Sequence, residues 1–341
     1  MKKWLLLLLV LGAIGGLVGW RYYSAIFGRV TRSYDGKQEV LVPTGADFEE
    51  LVTVLKFAGV VTEEDRFRTA AELKDFHDAV KPGRYLIPSD MSYHDLINKL
   101  RIGDQDPVEL VFSEVRLYRE LPGLLSRNIE LDSLELDAYM MGANLPAQYG
   151  FNATTFPTMF IPNTYSVYWN ISKEELIDRM AREYKSFWNA DRLTKARNMG
   201  LSQSEVTILA SIVKAETAHL PEAPRIAGVY ANRLRQGIPL QADPTLVFAL
   251  GDFSIRRVLD RHKEIDSPYN TYRYAGLPPG PINIPNGRYI DAVLNAEKHE
   301  FLYFCASPEM DGTHLFARTY NQHLANARKY QNALNQRGIY R

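Results

Sequence analysis

The hydrophobic pattern of the chain begins with an unbroken apolar run. Residues from Trp4 to Trp20 carry no charge, and Lys2 and Lys3 precede them. Seventeen helical residues span about 25 Å, which is close to the thickness of a bilayer's hydrocarbon core. Tryptophans at both ends suit the two membrane interfaces, and the preceding lysines favour a cytoplasmic N-terminus. The pattern predicts one membrane-spanning helix, with everything after about residue 30 outside the cytoplasm.

A cleaved signal peptide is the competing interpretation of this run. Its apolar region would be shorter, and the sequence after Trp20 lacks the small-x-small pattern of a cleavage site. A lipoprotein is excluded because no cysteine lies nearby. We therefore expect an uncleaved, single-pass anchor in the cytoplasmic (inner) membrane, and an extracytoplasmic or periplasmic main body.

Strand and helix patterns alternate after the anchor. Residues 39–43 and 81–88 have the apolar character of strands, and a run with helical spacing follows each of them. Asp47 and Ser92 are suited to cap these two helices. The same alternation restarts with a strand at 108–112, and helical patterns and a proline-marked irregular segment (156–165) follow it.

These patterns predict an α+β protein with no short repeat. The predicted parts are 1–28 (cytoplasmic lysines and transmembrane anchor), 29–38 (polar linker), 39–104 (first α+β subdomain), 105–190 (second, linking α+β subdomain) and 191–341 (C-terminal α+β domain).

One helix of the C-terminal domain carries a carboxylate in an unexpected place. Ser202 and Glu205 form a capping box, and helical periodicity runs from there to Glu216. On that period Glu216 points in the direction of the apolar face. Burial would raise its pKa, and a glutamic acid that stays protonated near neutral pH can act as the general acid in sugar cleavage. The alternative is that Glu216 reaches solvent or pairs with Arg225.

Composition narrows the classes of function. Lys+Arg and Asp+Glu both number 40, so the chain lacks the basic excess of a nucleic-acid-binding protein, and we expect no nucleic-acid partner. The single cysteine, Cys305, excludes an internal disulfide, and its apolar neighbours fit a buried strand. His219 follows Glu216 at Glu-x-x-His spacing, but no second copy exists, so we expect neither a metal nor a cofactor.

Several short motifs follow one another along the chain. They are Phe160-Ile-Pro-Asn-Thr-Tyr165, Leu209-Ala-Ser-Ile-Val213 with Glu216-Thr217, Asn232-Arg-Leu, Leu240-Gln-Ala-Asp-Pro-Thr245, Ser267-Pro-Tyr-Asn-Thr-Tyr272, Gly276-Leu-Pro-Pro-Gly-Pro-Ile282, Tyr303-Phe304 and Gly312-x-His314-x-Phe316. In this order they resemble the endolytic murein transglycosylases of the YceG-like family over essentially the whole chain. One departure is Lys214-Ala215, where family members often have Glu-Lys; these positions fall on the predicted polar side of the helix, so we expect little effect.

The resemblance implies a function. Glu216 would be the catalytic acid/base, 39–104 a LysM-like subdomain, and 191–341 the catalytic transglycosylase domain. The implied reaction cuts the MurNAc–GlcNAc bond inside nascent glycan strands without water and leaves 1,6-anhydro-MurNAc ends, which terminates strand elongation. The implied partners are peptidoglycan glycan strands, the membrane and peptidoglycan synthases.

Polar and aromatic residues of the motifs are candidates for substrate binding. They are Asn232, Gln241, Asp243, Thr245, Tyr269, Asn270, Tyr272 and His314. A structural role in the loops is an open alternative. Glycosidases that use water need two carboxylates about 5–9.5 Å apart, so Asp243 opposite Glu216 would make the chain a hydrolytic muramidase. A non-catalytic peptidoglycan-binding scaffold is the remaining alternative.

Overall fold

The structure is a computed structural model that describes residues 2–28, 36–113, 115–255 and 257–337. Most of the predicted linker, residues 29–35, lies outside the described residues. The strands are β1 (Lys37–Val42), β2 (Gly83–Pro88), β3 (Val108–Phe112), β4 (Asn163–Val167), β5 (Tyr303–Ala306) and β6 (His314–Ala317).

Helices make up most of the described structure. They are α1 (Lys2–Phe27), α2 (Phe48–Phe57), α3 (Glu64–Leu73), α4 (Tyr93–Ile102), α5 (Leu121–Leu125), α6 (Ser133–Met140), α7 (Leu145–Gln148), α8 (Lys173–Phe187), α9 (Ala190–Met199), α10 (Gln203–Glu216), α11 (Ala223–Arg235), α12 (Asp243–Leu250), α13 (Gly287–Leu294) and α14 (Tyr320–Gln336). Short 3₁₀ turns lie at Tyr118–Glu120, Phe156–Met159, Leu220–Glu222 and Asp260–Glu264. The predicted α+β class is confirmed.

The described chain divides into two compact units. The first takes residues from 1–110, 126–132 and 165–172, and the second takes residues from 111–125, 133–164 and 173–341. In the first unit β1 and β2 pair antiparallel, and α2, α3 and α4 complete a core with them. The predicted helix caps are confirmed, because Asp47 accepts from the Glu50 N–H and Ser92 from the Asp95 N–H.

The apolar helix α1 is longer than the predicted run. Residues Leu7–Phe27 form a helical segment of 21 residues that is long and apolar enough to cross a membrane, a property that signal sequences share. Within the first unit the end of α1 contacts α3 and α4, and Ala25 is buried there.

The second unit is built around α10, which contacts α9, α11, α12 and α13. The predicted capping box is confirmed, since Ser202 accepts from the Glu205 N–H and the Glu205 carboxylate accepts from the Ser202 N–H. Every residue from Val206 to Val213 is buried. The helix therefore has no solvent-exposed side over those eight residues, and the predicted single buried face is wrong.

Beside this helical cluster, β5 and β6 pair antiparallel with Ala306 opposite His314, and α14 packs against both strands. The strands β3 and β4 form another two-stranded sheet. Two elements depart from the expectations. Helix α3 was not predicted, and part of the segment 156–165, which was expected to be irregular, contributes to β4.

Candidate active site

Glu216 is the last residue of α10. The backbone adopts an extended conformation at Thr217 (φ −141°, ψ 135°), and the helix therefore ends at Glu216. Three cavities of the second unit meet at this half-buried side chain. Cavity A (about 790 Å³) also contains Asp243, cavity B (about 690 Å³) contains His219, and cavity C (about 350 Å³) contains Tyr230.

The Glu216 carboxyl has one hydrogen-bond partner among the described residues. The buried hydroxyl of Tyr230, on α11, donates to Glu216 Oε1 at 2.6 Å. Burial raises the pKa of Glu216 to about 7; the Tyr230 hydrogen bond opposes this shift, and the charge of Asp243 adds to it. Arg225 instead pairs with Glu297 at 2.9 Å, so the alternative in which it neutralises Glu216 is wrong. Near neutral pH the carboxyl can both give and take a proton.

Cavity A is walled by residues from separate parts of the second unit. Asp243, Val247 and Phe248 come from α12, and Arg116 and Glu120 come from the segment after β3. Lys214 and Ala215 also line cavity A. Lys214 is partly exposed and Ala215 is exposed, in keeping with the predicted polar side, but that side of α10 faces the candidate site.

Asp243 shares cavities A and C with Glu216. Its Oδ1 accepts a hydrogen bond from the Tyr272 hydroxyl at 2.5 Å, and Tyr272 lines cavity C. Burial and the neighbouring Asp243 raise the pKa of Tyr272. Gln241, also in cavity C, has φ +53°, a left-handed conformation that is uncommon for a residue with a side chain. Such backbone conformations concentrate at functional sites.

His314 lies on β6 and lines cavities B and C. Both the backbone N–H and Nδ1 of His314 are bound to the carboxylate of Glu222, at 3.0 and 2.6 Å. This contact fixes the ring beside Glu216. Tyr269 lies further away, in a neighbouring cavity of about 470 Å³, where its ring contacts Phe248 with centroids 4.7 Å apart.

The other three candidate binding residues are buried and bonded within the protein. The Asn232 amide donates to the carbonyls of His299 and Phe301. Thr245 Oγ1 donates to the Ala242 carbonyl, and the Asn270 amide holds the loop that ends at Tyr272. None of Asn232, Thr245 and Asn270 lines cavity A, B or C.

Sequence reasoning missed several residues of the site, namely Tyr230, Arg233, Glu222, Glu120 and His323. Tyr230 and Arg233 are three residues apart on α11, so they lie on one face of that helix. The available signal in the sequence was an arginine on the same face of a helix as apolar residues, because an arginine is seldom buried unless it has a specific partner. Within the described residues, His, Cys, Asp and Glu side chains form no group of three or more that could hold a metal ion.

Comparison with known proteins fixes the family. Residues 40–329 match the YceG-like family. The chain belongs to the YceG-like family. A YceG-like protein of Listeria monocytogenes with a crystal structure has a TM-score of 0.55 and 24% identity, over 86% of this chain and 99% of that one. At that identity the likeness bears on the fold alone.

Two curated relatives of this YceG-like chain are each named endolytic murein transglycosylase. The protein of Streptococcus pneumoniae serotype 2 (strain D39) is 27% identical over 96% of this chain. The match spans only 64% of that longer relative. The protein of Bacillus subtilis (strain 168) is 25% identical over 95% of this chain and 92% of its own length.

Proposed function

We propose that this YceG-like chain is an endolytic peptidoglycan lytic transglycosylase, with Glu216 as its one acid/base. It cleaves the MurNAc–GlcNAc bond inside nascent glycan strands, leaves 1,6-anhydro-MurNAc ends and so terminates elongation. The observation that carries the proposal is a carboxyl with a pKa of about 7 where three cavities meet. The names of the two curated relatives support the substrate class.

In the first step Glu216 acts as the acid. Its proton passes to the glycosidic oxygen, the bond from that oxygen to C1 of MurNAc breaks, and positive charge develops on the sugar. The carboxylate that remains keeps the hydrogen bond from Tyr230, and a hydrogen bond to the charged form stabilises it.

In the second step the same carboxylate acts as the base. It takes the proton of the C6 hydroxyl of MurNAc while O6 bonds to C1, which closes the 1,6-anhydro ring. The proton returns to Glu216, so no water is consumed and no second carboxylate is needed. We propose that Gln241, Asp243, Tyr272 and His314 contact the sugars, that Tyr269 contacts the strand further along, and that Asn232, Thr245 and Asn270 shape the walls.

One observation favours hydrolysis as a second candidate. Asp243 lines two of the three cavities that contain Glu216, so a water held by Asp243 would make the enzyme a muramidase. The products of the two reactions differ in mass by one water molecule.

Mass spectrometry of products from purified glycan strands tests the proposal. Wild-type protein should release anhydro ends, whereas Glu216→Gln should release none while staying folded and still binding strands. Glu297→Gln, which removes an exposed ion pair, should match wild type. Activity of Glu216→Gln would refute the assignment of Glu216, and hydrated ends from wild type would select the muramidase. Binding without any cleavage by wild type would select a non-catalytic scaffold.

We also propose a location for the protein. Helix α1 would cross the inner membrane once with its N-terminus in the cytoplasm, and the LysM-like subdomain (39–104) and catalytic domain (191–341) would lie in the periplasm or its equivalent, next to peptidoglycan synthases. Protease added outside spheroplasts should then digest the chain down to a small membrane-protected fragment. Full protection would contradict this topology.

A further inference from the structure

Arg233 is a buried cation that is hydrogen-bonded only to neutral groups. It lies on α11 and is 5% exposed. Its donors bind four oxygens: Leu302 O (2.6 Å), Pro239 O (2.8 Å), Leu240 O (3.0 Å) and Gln241 Oε1 (3.2 Å). These bonds use Nε and Nη1, and among the described residues Nη2 has no hydrogen-bond partner and no carboxylate pairs with the guanidinium.

A buried charge without a counter-ion is costly, because desolvation is not repaid by a nearby opposite charge. The Tyr303 ring lies 4.9 Å from the Arg233 guanidinium carbon and offsets part of this cost. By contrast Arg192, also in the second unit, is more exposed and forms a bidentate salt bridge. Its Nε and Nη2 donate to the two carboxylate oxygens of Asp291 at 2.7 and 2.9 Å. Arg233 is therefore in an environment suited to a buried ion pair whose anionic partner is missing.

An anion that pairs with Arg233 could bind in cavity C. Arg233 lines cavity C together with Glu216, and His314 and His323 add two further nitrogen-bearing side chains. Neither acid of this cavity forms a salt bridge with Arg233 among the described residues. Glu216 instead accepts from the Tyr230 hydroxyl, and Asp243 accepts from the Tyr272 hydroxyl.

We infer that Arg233 is the cationic centre of a subsite in cavity C for a carboxylate that the substrate carries beside the cleaved bond. This inference rests on the proposed function. MurNAc differs from GlcNAc by a 3-O-lactyl group, whose carboxyl is free in peptide-free glycan and is extended by a carboxylate-bearing stem peptide otherwise. Either carboxylate can accept charge-assisted hydrogen bonds from Nη2, the guanidinium nitrogen that has no partner among the described residues.

The hydrogen bonds from Arg233 to neutral groups also preorganise the subsite. Three backbone carbonyls hold the guanidinium in place before the substrate arrives, so little side-chain freedom is lost on binding. A carboxylate bound there would place a muramyl sugar, and not its neighbour, against Glu216. The subsite thus selects which of the two alternating glycosidic bonds is cut.

The first test changes only the substrate, so it does not depend on a variant that folds. Wild-type protein is given peptide-bearing strands and amidase-treated, peptide-free strands, each before and after conversion of carboxyls to primary amides. We expect blocking to lower kcat/KM about 10- to 100-fold, as the loss of a charged hydrogen bond does. Loss only with peptide-free strands identifies the lactyl carboxylate, and loss only with peptide-bearing strands identifies the stem.

Equal rates before and after blocking, on both kinds of strand, would overturn the inference and leave the proposed function intact. If no unmodified strand is cleaved at all, the proposed function fails first.

The second test asks whether Arg233 is the group that recognises the carboxylate. In Arg233→Gln, blocking the substrate should have no further effect, because the partner charge is gone. Arg225→Gln removes an exposed arginine from the same helix and should respond to blocking like wild type. An equal blocking effect in wild type and Arg233→Gln would assign the effect to another residue and refute the inference.

Because Arg233 also holds three carbonyls, its variant can lose the fold. Calorimetry on the full-length Glu216→Gln protein then decides, with free N-acetylmuramic acid and its primary amide as probes. The acid should bind at least about 10-fold more tightly than the amide. Equal affinities would contradict a carboxylate subsite.

Discussion

At the residue scale, the candidate chemistry depends on the half-buried carboxyl of Glu216 and the buried hydroxyl of Tyr230 that binds it. With a pKa of about 7, Glu216 is present in both protonation states at neutral pH, which suits a group that must first give and then take a proton. Tyr230 works against the desolvation that creates this pKa, because its hydroxyl binds the charged form. The pair is therefore tuned by two opposing effects, and each can be removed separately.

Removal of the phenol hydroxyl should move the pH profile. In Tyr230→Phe the carboxylate loses its hydrogen bond, so the pKa of Glu216 rises further and the protonated acid persists to higher pH. The alkaline limb of kcat, which for wild type falls above about pH 7, should shift upward by about one to two pH units. A pH series of initial rates measures this. Tyr274→Phe, which alters an exposed tyrosine bonded to Asp266, serves as the control and should leave the limb in place.

Glu216 should also make the stability of the protein depend on pH. Its folded pKa (about 7) lies above its ordinary value of 4.5, so the folded state binds more protons between these two values and unfolding becomes easier as pH rises through that window. Glu216→Gln removes the titration. The variant should gain up to roughly 3 kcal/mol over wild type at pH 8, relative to the difference between the two at pH 4.

Denaturant unfolding at the two pH values measures the difference. A stability gap between variant and wild type that does not change with pH would contradict the raised pKa.

The sequence predicts Glu216 as the candidate acid/base, and the structure places this residue where three cavities meet, but the helical pattern that pointed to it is partly wrong. The expected amphipathic stripe does not exist, because Val206–Val213 is buried on every side. What distinguishes Glu216 is its position at the end of α10. The residues from Val206 to Val213 are buried, whereas Glu216 lines three cavities. The partners Tyr230 and Asp243 could not be ranked from the sequence, because only the tertiary fold brings their helices to the end of α10.

At the element scale, α10 also fixes a wall of cavity A through one buried serine. Ser211 Oγ donates to the Ile208 carbonyl at 2.6 Å and accepts from the Ile282 N–H at 3.0 Å. The Asn283 amide in turn donates to the Ser211 carbonyl at 2.7 Å. Ile282 and Asn283, at the end of the proline-rich motif Gly276–Ile282 and just after it, line cavity A.

Helix α11 packs closely through Gly228. A Cβ on this residue would meet the Glu297 carbonyl and would lie 2.6 Å from His299 Nε2. We therefore expect Gly228→Ala to destabilise the protein by about 1–3 kcal/mol, although alanine favours helices. In contrast Gly123, in α5, has no atom within 4 Å of such a Cβ, so Gly123→Ala should be neutral or stabilise by up to about 1 kcal/mol.

Thermal and denaturant unfolding of the two alanine variants measures the contrast. Equal stability changes would show that close packing at Gly228 is not the deciding effect.

The elements that sequence patterns missed have weak periodicity. Helix α3 (Glu64–Leu73) is mostly charged residues and small alanines, with Phe67 as its one large buried side chain, so no apolar stripe stands out. The strand β4 follows two prolines and is partly exposed, which made its segment resemble a loop. Helices with N-caps, such as α2, α4 and α10, could be predicted because in each of them a capping residue directly precedes a run of apolar residues with helical spacing.

At the scale of the whole molecule, the chain forms two compact units, and the first of them includes the apolar helix α1. The exposed apolar residues of α1 suit a lipid environment, while the candidate site lies wholly in the second unit. We expect deletion of residues 2–20 to move the protein from the membrane to the soluble fraction. Cleavage of purified glycan in solution should persist, because none of the cavity-lining residues is removed.

Fractionation followed by product analysis tests this expectation. A truncated protein that stays in the membrane fraction would point to a second membrane contact. A soluble, folded and inactive protein would show that the catalytic unit depends on the helix.

The single cysteine gives the protein a built-in reporter. Cys305 is half-buried on β5 and lines cavity C with Glu216 and Arg233, and burial raises the pKa of its thiol. Thiol-reactive labels should therefore modify it slowly at neutral pH, faster in mild alkali, and more slowly again when the cavity is occupied. Occupancy of the site can thus be followed by labelling in the wild-type protein, without an engineered probe and without turnover.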